Sequence, residues 1–386
     1  MALDADTFRQ ITETIDRFVR DRLIPAEAQV DEDNAIPTDI ISEMRDLGLF
    51  GLSIPEEYGG LGLTMSEEVE LTFRLGRASP AFRSLIGTNN GIGSQGILLD
   101  GTDQQKQKWL PRLASGEIIG SFALTEPDSG SDAASISLSA QPDGPDFILN
   151  GTKRYITNAP IAGLFTVMAR SDSTLQGAKG ITAFLVEADT PGLSVGPPDR
   201  KMGQRGAKTA DVIFQDCRVP ASAIIGGIAG RGFATAMKVL DRGRLHISAV
   251  CVGAAERLLN DALTFAMTRR QFGAPIAEFQ LIQAMLADSR TELYAAKSMV
   301  TDAARRRDAG EAVSLEASCC KLFCSEMVGR IADRAVQIHG GAGYMSDYPV
   351  ERFYRDVRLF RLYEGTSQIQ QLVIARNMIR KHQDEL

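Results

Sequence analysis

The sequence lacks the features of membrane-embedded and nucleic-acid-binding proteins. No run of about 18 apolar residues occurs, so no segment predicts a bilayer-spanning helix. The net charge of −7 argues against nucleic-acid binding and provides no polybasic membrane patch. The N-terminus has neither the basic region nor the apolar core of a secretion signal. We therefore expect a bacterial cytoplasmic protein, with a processed mitochondrial matrix form as the alternative.

Histidine and cysteine are also scarce. Three of the five cysteines fall inside one six-residue stretch of a predicted helix. A zinc site there would need a Cys-x-x-Cys pair or nearby histidines. The nearest histidine to this cluster is His339. We interpret the cysteines as buried free thiols in a reducing compartment, and we expect no metal site. They are Cys217, Cys251, Cys319, Cys320 and Cys324.

The chain of 386 residues is too long for one ordinary core and predicts two or three domains in an α+β arrangement. Apolar residues at helical spacing predict a helical N-terminal domain over residues 1–120. Short β-prone runs between turn residues predict a small antiparallel β domain over 121–225, with a hairpin at Asn150-Gly151. Long proline-poor helical patterns over 226–386 predict a C-terminal four-helix bundle.

Glu364 lies in the most suggestive stretch, Arg361–Gln368. It follows an apolar-aromatic run and precedes a Gly-Thr-Ser turn, where Thr366 or Ser367 is a predicted N-cap for the next helix. Burial among apolar neighbours raises the pKa of a carboxylate and makes it a better base near neutral pH. The alternative is a loop glutamate that only favours the positive end of the following helix.

A second stretch, Ser121–Asp132, runs from an apolar strand into a loop rich in hydroxyls. Its backbone N–H groups and hydroxyls are suited to an anionic or carbonyl-rich ligand, although an acidic surface turn is equally polar. This stretch resembles the flavin-binding motif of the acyl-CoA dehydrogenase family. Four further segments resemble that family in the same order: Arg154–Asn158, Arg269–Gly273 with Phe279-Gln280, Gln337–Tyr344 and Tyr363–Thr366.

The resemblance covers essentially the whole chain and implies an FAD-binding homotetramer, a dimer of dimers. Tyr155 stands where the family usually has tryptophan. The implied contacts with the isoalloxazine or its ribityl chain are Phe122, Leu124, Thr125, Ser131, Tyr155, Ile156 and Thr157. Those implied for the rest of FAD, partly across a subunit interface, are Arg269, Phe272, Gln280, Gln337, Gly340, Gly341, Thr366 and Gln368. Those implied for the acyl-CoA substrate are Ser131, Asp241, Arg244, Tyr363 and Gly365.

The family resemblance also implies a reaction, α,β-desaturation of an acyl-CoA thioester to a trans-2-enoyl-CoA. Glu364 is the implied base for the α-proton, flavin N5 takes the β-hydride, and an electron-transferring flavoprotein accepts the electrons. The Glu364 N–H and a ribityl hydroxyl are the implied donors to the thioester oxygen. Fatty acid or amino acid catabolism is the implied setting. Some relatives carry the base just before the position of Arg244, where this chain has Gly243.

Two alternatives stay open at the level of sequence. One is a flavin oxidase of the same fold acting on a different substrate, and the other is a catalytically silent scaffold that binds CoA esters. The floor of the acyl pocket is expected from Thr88 to Gln95 and around Leu362-Tyr363. Because Thr88-Asn89-Asn90-Gly91 is small and polar, we expect short or branched acyl chains.

Overall fold

Residues 5–114 form short helices whose ends are set by side-chain caps and turns. A computed structural model describes residues 3–384. Thr64 with Glu67, and Thr102 with Gln105, form capping boxes that begin two of the helices. The helices are α1 (Ala5–Phe18), α2 (Ile24–Asp33), α3 (Thr38–Asp46), α4 (Met65–Leu75), α5 (Pro80–Thr88), α6 (Gln95–Asp100) and α7 (Asp103–Ala114).

The middle of the chain forms one curled sheet. Its strands are β1 (Gly120–Ala123), β2 (Ser139–Asp143), β3 (Asp146–Thr157), β4 (Leu164–Arg170), β5 (Ile181–Glu187), β6 (Leu193–Val195) and β7 (Thr209–Pro220). The strand order is β1-β4-β2-β3-β7-β6, with β5 on the other side of β4. Most pairs are antiparallel as expected, but β1 runs parallel to β4 with Phe122 opposite Thr166. This parallel pair is possible because the long segment containing β2 and β3 connects the two strands, and β2 also meets β4 in parallel at Ser139 and Arg170.

The hairpin expected at Asn150-Gly151 is wrong. Both residues lie inside β3, and the turn between β2 and β3 contains Gly144, whose φ is +63°. Gly151 instead lies at a shift in register between β3 and β7, with φ of +142°. A second shift follows Lys153, where Tyr155 has φ of +59° and is 64% exposed. Glycine here permits a β-bulge rather than a turn.

The C-terminal part is helical, and its core is continuous with that of the N-terminal helices. Its elements are α8 (Gly232–Thr268), the short strands β8 (Arg270–Gln271) and β9 (Ala274–Pro275), α9 (Gln280–Asp308), α10 (Ser314–His339), α11 (Pro349–Val357) and α12 (Ser367–Asp384). α4 packs across α8 and α9, and its apolar face joins their core. The helix–sheet–helix fold is thus confirmed. The domain boundaries at 120 and 225 stay a prediction, and they fall between α7 and β1 and between β7 and α8.

The structure also bears on membrane-spanning helices and on the state of the cysteines. Between residues 3 and 384, no helix combines the length and the hydropathy that a bilayer crossing requires. The five cysteines are free, and all but Cys319 are buried, which agrees with the interpretation as structural thiols.

Gly253 allows α4 and α8 to approach closely. A Cβ at this position would lie 2.4 Å from the Phe73 carbonyl oxygen and 2.8 Å from the Cα of Gly76. We predict that Gly253→Ala forces the two helices apart and costs about 1–3 kcal/mol of stability. Thermal unfolding followed by circular dichroism measures this loss. Gly91→Ala is the matched control, because a Cβ there meets nothing within 4 Å; equal losses in the two variants would contradict the close-approach explanation.

Candidate active site

A cavity of about 380 Å³ lies between one edge of the sheet, α5, α8 and the turn before α12. It brings together residues that are far apart in sequence, because β1, β3 and the N-terminal half of α8 meet here. The residues predicted from sequence that line it are Phe122, Leu124, Thr125, Ser131, Tyr155, Ile156, Thr157, Arg244, Tyr363, Glu364 and Gly365.

The polar loop after β1 is fixed by a buried ion pair. Lys153 Nζ donates to Glu126 Oε1 at 2.8 Å and to the Leu124 carbonyl at 2.9 Å. The Glu126 carboxylate also accepts from the backbone N–H groups of Ser137 and Leu138, at 2.6 and 2.9 Å. Burial lowers the pKa of Lys153 to about 8, against the opposing effect of Glu126. The interpretation as an acidic surface turn is therefore wrong for Glu126, which is 5% exposed and holds the loop in shape.

The turn at Glu364 has an unusual backbone conformation. Glu364 and Gly365 have φ of +53° and +89°, and a glutamate in the left-handed region is strained by about 1 kcal/mol or more. Two buried side chains hold it. Lys321 Nζ donates to the Gly365 carbonyl at 2.6 Å, and Gln370 Nε2 donates to the Glu364 carbonyl at 3.1 Å. Thr366 then caps α12, as predicted, by accepting from the Ile369 N–H at 3.2 Å.

The Glu364 carboxyl group is poorly solvated. Its Oε2 is buried and makes no hydrogen bond with any of residues 3–384. Burial raises the pKa of Glu364, while the positive charges of Arg83, Lys321 and Arg244 act in the opposite direction. The net shift is upward, which is the direction that suits a base working near neutral pH. Burial also lowers the pKa of Lys321 to about 8.

Gly243 makes room for this carboxylate. A Cβ on Gly243 would lie 2.1 Å from Glu364 Oε2, so any side chain at 243 displaces the carboxyl group. The alternative position for a base, just before Arg244, is therefore sterically incompatible with Glu364 as it stands. One residue further on, Arg244 lines the cavity and pairs with Asp241 at 2.5 Å, while Asp241 itself lies outside the lining.

The expected floor of the acyl pocket is only partly correct. Of the stretch Thr88–Gln95, only Thr88 and Ile92 line the cavity. The Asn89 amide instead donates to the carbonyls of Phe50 and Leu113, at 2.9 and 3.0 Å. Leu362 also lies outside the cavity lining. The small, polar appearance of this stretch therefore says little about the acyl chain, because its asparagines bind neighbouring backbone.

Sequence reasoning missed several cavity residues, of which Arg83 is the most notable. It lies in α5, whose residues are all buried, and it is 6% exposed. The available signal was a charged residue inside the apolar run Ala81–Ile86. The other missed lining residues include Ser84, Lys201, Gln204, Phe233, Met237, Leu240, Ile369 and Val373.

The remaining predicted FAD contacts lie outside this cavity. Arg269 directly follows the last residue of α8 and lies 25 residues beyond Arg244. At the rise of an α-helix, this separation is about 38 Å. Phe265 near that end stacks on His339 at the end of α10, with ring centroids 4.3 Å apart, so the two ends lie side by side. Six of the residues implied for FAD are exposed near these two helix ends: Arg269, Phe272, Gln280, Gln337, Gly340 and Gly341. Thr366 and Gln368 lie just beyond Glu364, also outside the lining.

Metal ligands are not grouped in the described part of the chain. Between residues 3 and 384, no three His, Cys, Asp or Glu side chains are arranged to hold a metal ion.

Comparison with known proteins places the whole chain in one family. Profiles described as the N-terminal, middle and C-terminal domains of acyl-CoA dehydrogenase match residues 5–117, 121–217 and 230–379. The 3-(aryl)acrylate reductase of Clostridium sporogenes is 42% identical over 363 residues, which cover 94% of this chain and 96% of the relative. The human mitochondrial short-chain specific acyl-CoA dehydrogenase is 40% identical over 377 residues, covering 98% and 91%.

Two further comparisons concern partner and fold. The subunit CarC of the caffeyl-CoA reductase–Etf complex of Acetobacterium woodii is 40% identical over 353 residues, covering 92% of this chain and 93% of the relative. The solved structure of butyryl-CoA dehydrogenase from Megasphaera elsdenii superposes with a TM-score of 0.93 at 33% identity, covering 98% of this chain and 100% of the other.

The electrostatics of Glu364 can be tested through Lys321. We predict that Lys321→Met raises the pKa of Glu364, because the variant removes one of the positive charges that oppose the effect of burial. Difference infrared spectroscopy of the protonated carboxyl group measures this pKa, with Glu364→Gln as the baseline. Lys201→Met is the matched control, since it removes a cavity-wall cation that has no part in the Glu364 shift. An unchanged Glu364 titration in Lys321→Met would contradict the assignment.

Proposed function

This chain belongs to the acyl-CoA dehydrogenase family, and from that premise we propose that it desaturates an acyl-CoA thioester between Cα and Cβ to give a trans-2-enoyl-CoA. The family consists of flavin-dependent oxidoreductases, and the cofactor is FAD. Some relatives are named reductases, so the oxidative direction is part of the proposal. The single observation that supports it is the Glu364 side chain in the cavity wall, whose buried Oε2 has no hydrogen-bond partner among residues 3–384.

The cavity residues fit a flavin. One wall combines flat or apolar side chains with hydroxyl groups, and the Glu364 side chain lines the same space. When bound, FAD supplies the two-electron oxidation by accepting the hydride from Cβ. The residues proposed to hold its ring and ribityl chain are Phe122, Leu124, Thr125, Ser131, Tyr155, Ile156 and Thr157.

Glu364 is the proposed base for the α-proton. The α-C–H of a thioester is weakly acidic, so the carboxylate must be positioned against it and kept from water. The fixed turn provides the position, since Lys321 and Gln370 hold the backbone on both sides of the Glu364–Gly365 peptide. The raised pKa provides the proton affinity.

The backbone N–H of Glu364 is the proposed donor to the thioester oxygen. It makes no backbone hydrogen bond with any of residues 3–384, so it is available to a ligand. Charge that develops on the thioester oxygen during α-proton removal is stabilised by such a preorganised donor. Tyr363 and Gly365 complete the wall on either side of the base. Arg244 is proposed to line the CoA side, held by Asp241.

We also propose that the protein is a homotetramer in which one subunit completes the FAD site of another. Arg269 follows the last residue of α8, whereas Gly243, the residue that borders Glu364, lies in the N-terminal half of that helix. Phe272 and Gln280 follow Arg269 in sequence. They are exposed, as expected of residues that serve a neighbour, and Phe272 is 94% exposed. Gln337, Gly340 and Gly341 belong to the same surface, whereas Thr366 and Gln368 follow the base.

The other proposed features are the electron acceptor and the setting. An electron-transferring flavoprotein is the proposed acceptor, in keeping with the relative that forms a complex with Etf. We propose that the protein acts in the cytoplasm of a bacterium.

Anaerobic titration with acyl-CoAs tests the proposed reaction. We predict that the absorbance of the oxidised flavin bleaches with at least one acyl-CoA. Glu364→Gln should retain FAD but lower the rate of bleaching by about 10²–10⁴-fold, the usual contribution of a positioned general base.

Three other results of the titration would contradict the proposal in different ways. A flavin that no acyl-CoA reduces would indicate another substrate. Reoxidation by O₂ at the rate of turnover would indicate an oxidase. A protein that takes up no FAD would indicate a silent scaffold.

Gly243→Ala tests the placement of the base. The added methyl group meets the Glu364 carboxyl oxygen at 2.1 Å, and the flexible side chain can move away without unfolding the protein. We predict that kcat falls at least about 10-fold, since small displacements of a base are costly to rate, while thermal stability changes little. Steady-state kinetics and calorimetry measure the two effects. An active Gly243→Ala enzyme would contradict the proposed position of the carboxylate.

A further inference from the structure

Arg83 places a positive charge in the wall of the cavity. It lies on α5, within a helix that is buried along its length, and is itself 6% exposed. Its Nε donates to Nδ1 of His246 at 3.0 Å, and its Nη2 contacts the same nitrogen. Nη1 makes no hydrogen bond with any of residues 3–384 and is not among the fully buried polar atoms. The guanidinium therefore retains an unused donor in the wall of the cavity.

The partner of Arg83 is uncharged. Burial, together with the charge of Arg83, lowers the pKa of His246 to about 4. Since Nδ1 accepts from Arg83, the ring proton resides on Nε2, which faces Glu68 Oε1 at 3.1 Å. His246 thus orients the guanidinium without neutralising it.

The carboxylate beyond His246 is already matched by another cation. Glu68 is fully buried and pairs with Arg242, and the pKa of Glu68 is lowered to about 2. The negative charge of Glu68 therefore balances Arg242, and the carboxylate on which the charge of Arg83 acts is Glu364 in the same cavity. Among residues 3–384, no carboxylate forms a salt bridge with Arg83. A buried charge without a directly paired counter-ion costs several kcal/mol, and a ligand carboxylate would supply the ion pair that Glu364 does not make with Arg83.

The surroundings of Arg83 suit a carboxylate. Ser84 and Thr88 lie beside it on α5 and also line the cavity. Ser84 donates to Gln204 Oε1 at 3.2 Å, so its hydroxyl oxygen can accept but its proton is engaged. The Thr88 hydroxyl donates no hydrogen bond to any of residues 3–384, so it is free to donate to a ligand. A guanidinium with an adjacent hydroxyl is a common way to bind a carboxylate.

We propose that Arg83, with Thr88, binds a carboxylate at the distal end of the acyl chain, so that the preferred substrates are ω-carboxyacyl-CoA thioesters rather than neutral acyl-CoAs. The inference rests on the proposed function, because it assigns the substrate class of that same cavity. It adds a terminal charge to the expectation of short or branched acyl chains. Arg83 acts here as a specificity-determining residue, and separately its charge opposes the upward shift of the Glu364 pKa.

The test compares matched acids and neutral chains. Values of kcat/KM are measured for the ω-carboxyacyl-CoAs from succinyl to pimeloyl and for straight-chain acyl-CoAs of the same carbon number, with an artificial electron acceptor. For the best-fitting length, the wild-type protein is expected to prefer the acid by about 10-fold or more, the contribution of a hydrogen bond to a charged group. This measurement needs no variant, and a wild-type preference for the neutral chain at every length would overturn the proposal.

Variants then assign the preference to Arg83. Arg83→Met is expected to lower kcat/KM for the acid by about 10²-fold more than for the neutral chain, whose own change reports the loss of a charge that lowers the pKa of Glu364. Arg83→Lys keeps the positive charge but lacks the planar set of N–H donors of the guanidinium, and it is expected to retain part of the preference for the acid. Lys201→Met removes another cation from the same wall and serves as the matched control.

Other outcomes identify which idea fails. If Arg83→Met lowers kcat/KM equally for acids and neutral chains, Arg83 acts through Glu364 and the specificity proposal is wrong. If Lys201→Met abolishes the acid preference as fully as Arg83→Met, the preference comes from a diffuse field rather than from Arg83. If no acyl-CoA of either class reduces the flavin, the proposed function itself is wrong.

Discussion

The structure depends on keeping one carboxyl group out of water without giving it a partner. Glu364 has a strained backbone and an oxygen without a hydrogen-bond partner in the described part of the chain, residues 3–384, and each of these features is unfavourable by itself. Lys321 on α10 and Gln370 on α12 hold the strained turn, while Gly243 on α8 leaves the space that the carboxylate occupies. Three helices, α8, α10 and α12, thus position the Glu364 side chain. The long C-terminal helices and their apolar core are the rigid support that makes this arrangement possible.

Positive side chains dominate the electrostatics around Glu364. Arg83, Arg244 and Lys321 surround Glu364, and each is held by a different neighbour: His246, Asp241 and the Gly365 carbonyl. The positive charges keep the raised pKa of Glu364 within a useful range, because burial alone would raise it further.

The sequence predicts the parts of this protein that are determined locally. The Thr366 cap, the layout of helices around a sheet and the glycine-rich turn at Glu364 all follow from short patterns. The failures have a common physical cause, which is that the deciding partner is distant in sequence. The glycine of Asn150-Gly151 suits a turn or a bulge equally well, and only pairing with β7 selects the bulge. Likewise, Arg83 resembles a surface charge until α8 brings His246 against it.

The contact between Gly243 and Glu364 has a consequence for how such a site can evolve. A base carried on α8 at position 243 would require a side chain where this chain needs none. A single substitution that adds an acid at 243 creates a collision, and one that removes the acid at 364 first leaves no base. Each order of change passes through an impaired intermediate, so the two arrangements are separated by a fitness valley. The steric exclusion in one pocket therefore prevents both base positions from being filled at once in this chain.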